Sequence, residues 1–497
     1  MRTLLTRLLL ALLAAGCATP TQAPPAPALA APALAAEADL ELPPLPGVRV
    51  ERLADPVAAL RRGEAAAAVV RGPAPQGLDS FALSVDETVI LQAWLDEPLS
   101  LTLAEARERL PGLLPPGEPR KGALAQGRLS DLKPGWRAVA VGGVIPTPQT
   151  VWSGEYPLAG LVSVVYPPGA AAFPGAEPLR AAAQARPAGE WASLSVAGDF
   201  MLARGVARAM REHGTLYPVA KVKEHLSASD LAFANLESPI GVKGRALPGK
   251  QIWFRAAPEA VEVLKAAGLD GLTLANNHIL DSDEENFLET MDLLRQAGIP
   301  WTGGGRDLDE ARRPLVLEAR GVRIAFLGYS EFADLFFDWH YPRSFAATEE
   351  RPGVPRIDEA WLAEDIQKAR SLADVVAVTL HWGVEFENHP TEEQVRLARW
   401  IVDQGADLVL GYHPHAIQGF ELYRGKFIAY SLGNFIMDRQ DTDLARESMI
   451  LDFLIGVDGV RQVQVHPVWI HAEQPYMMTG ADGAALRAKM QAISGWK

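Results

Sequence analysis

One cysteine, Cys17, stands among 497 residues, so no disulfide can form within the chain. Apolar runs are also short. None approaches the roughly 20 residues that a membrane-spanning helix requires. Positive charge is scarce, with 47 Lys and Arg against 61 Asp and Glu, for a formal net charge of −14. Binding to phosphate backbones needs a basic surface, so no nucleic acid is expected as a partner. There is no internal repeat. What the chain does have is apolar mass: 48% of residues are hydrophobic, ample for large cores, and the length suggests two or three domains.

The lone cysteine is placed informatively. Arg2 and Arg7 precede the apolar stretch Leu8-Leu9-Leu10-Ala11-Leu12-Leu13, which ends in Ala14-Ala15-Gly16-Cys17. Basic then apolar residues followed by small ones form a secretory signal pattern. The pattern resembles a bacterial lipoprotein signal, with residues 1–16 removed and Cys17 lipidated, although Ala14 stands where leucine is usual. That resemblance implies a lipid-anchored protein of the cell envelope, facing the periplasm or the cell exterior. Residues 17–47 are rich in Ala and Pro and read as an extended tether, because such composition builds no core.

Residues 48–185 read as a smaller αβ domain. Ala65–Val70 and Glu87–Trp94 have strand character, and Ser100 or Thr102 can cap a helix reaching Leu110. The stretches AAAVVRG, DETVILQAWLDEPLSLTLAEARERL and EYPLAGLVSVVY are similar to parts of type 2 solute-binding proteins of the phosphate-binding kind. The region is too short for their two-lobed clamp, so a scaffold or docking role is expected as readily as ligand binding. Residues 171–189 read as a second linker.

From Trp191 onward, strands and helices alternate regularly, which is the mark of an α/β layered architecture. The segment ADLVLGYHPHAIQGFELYRGKFIAYSLGNFIMD, from Ala406 to Asp438, is central. Its apolar start reads as a buried strand that ends at His413-Pro414-His415. Pro414 supplies no N–H, so this tripeptide should lie beyond the paired strand. Sites in open α/β sheets lie at such strand ends. Asp199, Glu237, Asn277, His278 and His381 also fall at or just past the C-terminal ends of expected strands. Each alone has a dull explanation as a cap, a turn residue or a packed histidine, but their joint placement suggests a site. Carboxylate, amide and imidazole without thiolate suit a divalent metal such as Mn, Zn, Fe or Mg. A carboxylate bridging two ions would suit phosphoryl chemistry.

GDFMLARGV, ANLESPI, LANNHILD, HWGVEF and the Ala406–Asp438 segment together resemble the capsule-synthesis protein family of poly-γ-glutamate biosynthesis, the CapA type. The resemblance spans residues 193–438. It implies a calcineurin-like metallophosphoesterase fold over residues 191–497, an α/β four-layer αββα sandwich. It further implies Asp199 and His415 on a first metal, Asn277, His381 and His413 on a second, and Glu237 bridging them. His278 would be the general acid, oriented by Asp281. Glu385, Arg204 and Asn434 would bind substrate, with Glu385 alternatively supporting His381. Two departures stand out. Met201 occupies the position of a usual histidine ligand, so the first site is expected to be weak or empty. Ser282-Asp283-Glu284 replaces a usual glycine, and that acidity is expected to disfavour a highly anionic substrate. The expected substrate is an anionic envelope polymer or a phosphoester, with capsule-assembly proteins as further partners. The rival readings are a phosphodiesterase unrelated to capsule and a non-catalytic polymer-binding protein.

Overall fold

The computed structural model describes residues 33–495 except 38–39, 41, 43–44, 46–47, 94–95, 97–98, 117–119, 121, 171, 174, 184–189, 335–343 and 439–440. Cys17 and the expected signal, residues 1–16, lie outside the described residues. Among those described, no helix is long and apolar enough to cross a membrane.

The chain divides into two compact units, Met1–Ser84 with Leu161–Gln184, and Val85–Gly160 with Ala185–Lys497. This differs from the division that composition suggests, in which residues 48–185 stand together. The reason lies in the contacts of residues 85–160. Their strand Thr88–Ala93 pairs with Leu124–Arg128 and Trp136–Ala138. The Ala138 N–H then donates to Gln462 Oε1 at 2.9 Å, which ties this small sheet to the larger unit.

The smaller unit holds a five-stranded sheet, ordered Val50–Leu53, Ala33–Glu37, Ala65–Arg71, Gly160–Tyr166, Asp79–Asp86. Its second strand corrects the reading of residues 17–47 as tether throughout. Ala33–Glu37 runs parallel between two neighbours, with Leu34, Ala35 and Ala36 buried. Small side chains let this strand lie against Ala67 and Ala68, and runs of alanine show no period-2 signal. The second expected linker is likewise in part a helix, Ala176–Ala182, with Leu179 fully buried.

The larger unit is built on two mixed sheets. The eight-stranded sheet runs Trp301–Thr302, Gly271–Thr273, Leu231–Leu236, Ala192–Phe200, Glu447–Gly456, Gly459–His471, Gln474–Met477, with Asn434–Ile436 paired beside Ala192–Phe200. The six-stranded sheet runs Leu315–Ala319, Val322–Ser330, Val375–His381, Leu408–Tyr412, Lys426–Ala429, Phe420–Tyr423. The C-terminal strands thus complete the first sheet. The sheets face each other across one core that includes Leu194, Val196, Phe233, Phe326, Ala377, Leu410, Phe427 and Phe453. Phe233 and Phe326 stack across it, with centroids 4.2 Å apart.

Helices cover both outer faces. Phe287, Met291 and Leu294 of helix Asp283–Ala297 pack on the first sheet. Leu362 and Ile366 of helix Glu359–Leu372, and Leu397 and Ile401 of helix Glu392–Asp403, pack on the second. The result is the expected αββα sandwich. Strands buried on both faces explain why VVAVTLH reads as a continuous apolar run. Thr391 and Gln394 form a reciprocal capping box, and Asp458-Gly459 turns a hairpin. Asp283 is the first residue of its helix, at φ 71°, with Ser282 in the cap position.

Candidate metal centre

Parallel strands end side by side, so their last residues converge. Asp199 lies near the end of Ala192–Phe200, Glu237 just after Leu231–Leu236, His381 at the end of Val375–His381, and His413 just after Leu408–Tyr412. Asn277 and His278 follow Gly271–Thr273 within a few residues. Asp199 and Glu237 are fully buried, and Asn277, His278, His381 and His413 are also buried.

Two donor groups meet at Glu237. Asp199, Glu237 and His415 each bring a ligand atom within 4.8 Å of the others. His415 Nε2 is 3.7 Å from Glu237 Oε1, and His415 Nδ1 is 3.9 Å from Asp199 Oδ2. On the other side, His381 Nε2 lies 2.9 Å from Asn277 Oδ1, 3.2 Å from His413 Nδ1 and 3.9 Å from Glu237 Oε1. Asp199 and His415 thus lie to one side of Glu237, and Asn277, His381 and His413 to the other. Among the described residues, neither oxygen of the Glu237 carboxylate has a hydrogen-bond partner. An isolated buried carboxylate is unfavourable by several kcal/mol or more, so this donor set fits divalent cations.

The electrostatics agree. Burial, then the Asp199 charge, pushes the Glu237 carboxyl well above its usual range. Burial pushes Asp199 up to about 6. Burial holds His381 and His413 well below the ordinary imidazole value. Neutral imidazole is the metal-binding form. Backbone strain is stored here too: His413 and His415 have φ of 95° and 55°, a conformation that costs about 1–3 kcal/mol at a non-glycine residue. Pro414 lies between them, beyond the paired strand as its missing N–H requires.

A ring of amides holds the donors. Asn235 Nδ2 donates to Asp199 Oδ1 at 2.7 Å, and Asn276 Nδ2 donates to Asn235 Oδ1 at 3.0 Å. Asn276 Oδ1 accepts from the His278 N–H at 3.0 Å. The Asn434 carboxamide accounts for both its ends within the protein. Its Oδ1 sits 2.8 Å from His415 Nδ1, and its Nδ2 donates to Ala445 O at 3.0 Å. It therefore positions His415.

Beside the donors, His278 Nδ1 lies 2.7 Å from Asp281 Oδ2, which leaves Nε2 for another partner. His278 stacks on Phe254, centroids 4.0 Å apart. Asp281 accepts from the Phe254 N–H at 2.6 Å and pairs with the Lys250 ammonium. Burial raises Asp281 to about 7 and lowers Lys250. Burial and the Lys250 charge hold His278 well below its ordinary value.

A small cleft beside the site is lined by Arg204, Phe254, His278, Glu385, His415 and Asn434, among others. Arg204 Nε is 3.2 Å from Asp438 Oδ2 and its guanidinium lies over the Phe254 ring. Glu385 is exposed and lies with His413 and His415 as a third donor. Met201 is fully buried in the apolar cluster on the helical side of the first sheet. Its Sδ accepts from the Ala203 N–H at 3.2 Å. A core residue therefore stands where the family resemblance leads one to expect a ligand.

Three participants are not assigned by the sequence reading: Lys250, Asn235 and Asn276. The two asparagines lie inside the ANLES and ANNH motifs and are open to detection by position. Lys250 carries no local signal, because its partner Asp281 lies in a different motif.

The bacterial capsule synthesis protein PGA_cap family matches residues 193–439. The capsule biosynthesis protein CapA of Bacillus anthracis is 32% identical over 296 residues, covering 58% of this chain and 70% of that protein. The PGA biosynthesis protein CapA of Bacillus subtilis is 32% identical over 285 residues, covering 57% and 73% respectively. Among solved structures, a hypothetical protein from Thermus thermophilus aligns over 55% of this chain and 98% of its own at 16% identity, with a TM-score of 0.35. On the strength of the two Bacillus relatives and the matched region that carries every donor described above, the chain belongs to the bacterial capsule synthesis protein (PGA_cap) family.

Proposed function

We propose that this protein acts in capsule synthesis at the cell envelope through a metal-dependent hydrolytic site of phosphoesterase type. The observation that carries the reading is Glu237, a fully buried carboxylate with no hydrogen-bond partner among the described residues, flanked by two convergent donor groups. Asp199, Glu237 and His415 would hold one ion; Glu237, Asn277, His381 and His413 would hold a second. Mn, Zn, Fe or Mg suits this oxygen and nitrogen set. Bound there, the ions would supply Lewis-acid stabilisation of charge on a phosphoryl or acyl oxygen.

The chain's own residues do the rest. Asp281 fixes the His278 ring through Nδ1, so Nε2 is the nitrogen left for proton transfer to a leaving oxygen, and the Asp281 carboxylate would stabilise the imidazolium that this transfer needs. Arg204, at the cleft, offers the positive charge that an anionic polymer or phosphoester needs. Asn434 and Asn235 hold His415 and Asp199 in place. The relatives' capsule role and the lipoprotein-like N-terminus support an envelope-tethered protein working on an anionic polymer or with capsule-assembly partners.

The test separates ligand from acid. His413→Ala should lower bound metal. His278→Ala should keep the metal and lose about 100- to 10,000-fold in turnover of a model phosphodiester supplied with Mn. Equal metal loss in the two variants would overturn the roles. A wild-type protein that holds metal and polymer but turns over nothing would favour a binding protein.

A further inference from the structure

A second group of metal-type donors lies away from the site above. His225 belongs to the short helix Lys223–Leu226, Asp452 to strand Glu447–Gly456, and His466 to the neighbouring strand Gly459–His471. One ligand atom from each lies within 4.8 Å of the others. Asp452 is aligned with Ser195, four residues before Asp199 on the same strand. At about 3.3 Å per residue that is roughly 13 Å along the strand, so the two groups share no donor.

The geometry is convergent. His225 Nε2 lies 2.9 Å and His466 Nε2 2.8 Å from the same oxygen, Asp452 Oδ2. His466 Nε2 is buried, and Asp452 Oδ2 is its near neighbour on this side. Bonds of about 2.0–2.1 Å at a tetrahedral angle set neighbouring donors about 3.3 Å apart. The two nitrogen–oxygen spacings, 2.9 and 2.8 Å, need to open by only about half an ångström. The two rings sit 4.7 Å apart between centroids, so two imidazolium cations sharing this carboxylate would repel each other. The other carboxylate oxygen is fixed by Ser195 Oγ, which donates to Oδ1 at 2.6 Å. Such an outer hydrogen bond is what orients a metal-binding carboxylate. The three side chains are 27%, 26% and 14% exposed, which leaves water access for a fourth position.

We propose that His225, Asp452 and His466 form a second, independent divalent-metal site of zinc type. Two imidazoles and one carboxylate are a common zinc donor set, and the ion would clip the short helix to two strands of the first sheet. The inference stands apart from the proposed hydrolytic function, since neither its residues nor its chemistry depends on that site.

The test uses the full chain, stripped with chelator and reloaded with zinc alone, in a His381→Ala/His413→Ala background that weakens the first centre. Elemental analysis after gel filtration should find one zinc fewer per chain when His466→Gln is added. Affinity for that ion should fall more than about tenfold. Zinc should raise the melting temperature of the background protein but not of the triple variant. If the background does not fold, wild type against His466→Gln, and separately His225→Gln, gives the same readout of one ion lost. Equal zinc content with and without His466, or no zinc-dependent rise in melting that His466→Gln removes, would overturn the site. A wild type that holds this ion alone would instead count against the hydrolytic centre and leave the present inference intact.

Discussion

Lys250 and Asp281 offer a quantitative test of how the centre is assembled. Their side chains are 7% and 0% exposed and form an ion pair. Asp281 also holds His278 Nδ1 and the Phe254 N–H, while Lys250 Nζ donates to Asn277 O at 2.5 Å. Lys250→Met therefore strands a buried carboxylate, and Asp281→Asn strands a buried ammonium. Removing one partner of a buried pair destabilises by about 3–5 kcal/mol. Burial already raises Asp281 to about 7 and lowers Lys250, so each survivor can discard its charge and soften the loss. Each further tenfold change in proton affinity needed for that costs about 1.4 kcal/mol. The double variant removes both charges at once. Its loss should fall short of the sum of the singles by about 2–3 kcal/mol, a coupling typical of contacting residues. Thermal melting of the metal-free full chain at pH 8, where Asp281 is mostly ionised, reads this directly. Losses that add to within about 0.5 kcal/mol would refute the ion pair as the element that holds Asp281, and through it His278.

Other perturbations follow from the packing. Met201→His should gain no metal and should lower the melting temperature, because it buries an imidazole in an apolar cluster; a tighter or additional ion in a zinc titration would contradict this. Gly198→Ala should abolish the metal centre, since an added Cβ would sit 2.1 Å from Gly433 O, where the Asp199 N–H bonds. Overpacking of that kind costs about 1–3 kcal/mol or more; wild-type metal content in a folded Gly198→Ala protein would show the strand can shift. Cys17→Ser should move the protein from the membrane fraction to the soluble one, because among the described residues no spanning helix offers another anchor. Unchanged membrane association would sink the lipoprotein reading.

Much of the centre is legible in the sequence because chemistry and topology coincide at strand ends. Apolar runs mark the strands, and polar residues that interrupt them at the same end mark the site. The face of a single residue is less legible. Two residues apart on an extended strand share a side, yet Met201 lies in the core while Asp199 points to the donors. Pairing of this strand with Asn434–Ile436 shifts register between Asp199 and Phe200, which breaks the simple alternation. Sequence places Asn434 at the cleft but does not show its contact with His415, because that contact joins residues 19 positions apart. Lys250 is invisible for the same reason, with its partner 31 positions on. The N-terminal half is the least legible. Alanine-rich segments carry neither periodicity, and Ala33–Glu37 is a strand only because its neighbours close around it.

The central claim is that Glu237 is compensated by bound cations rather than by protein. Elemental analysis of the full chain, purified and reloaded with manganese or zinc, tests it most directly against Glu237→Gln. Wild type should hold at least one ion more per chain than Glu237→Gln, and chelation should lower the melting temperature of wild type more than that of the variant. Equal metal content in the two proteins, with melting temperatures that respond equally to chelator, would contradict it.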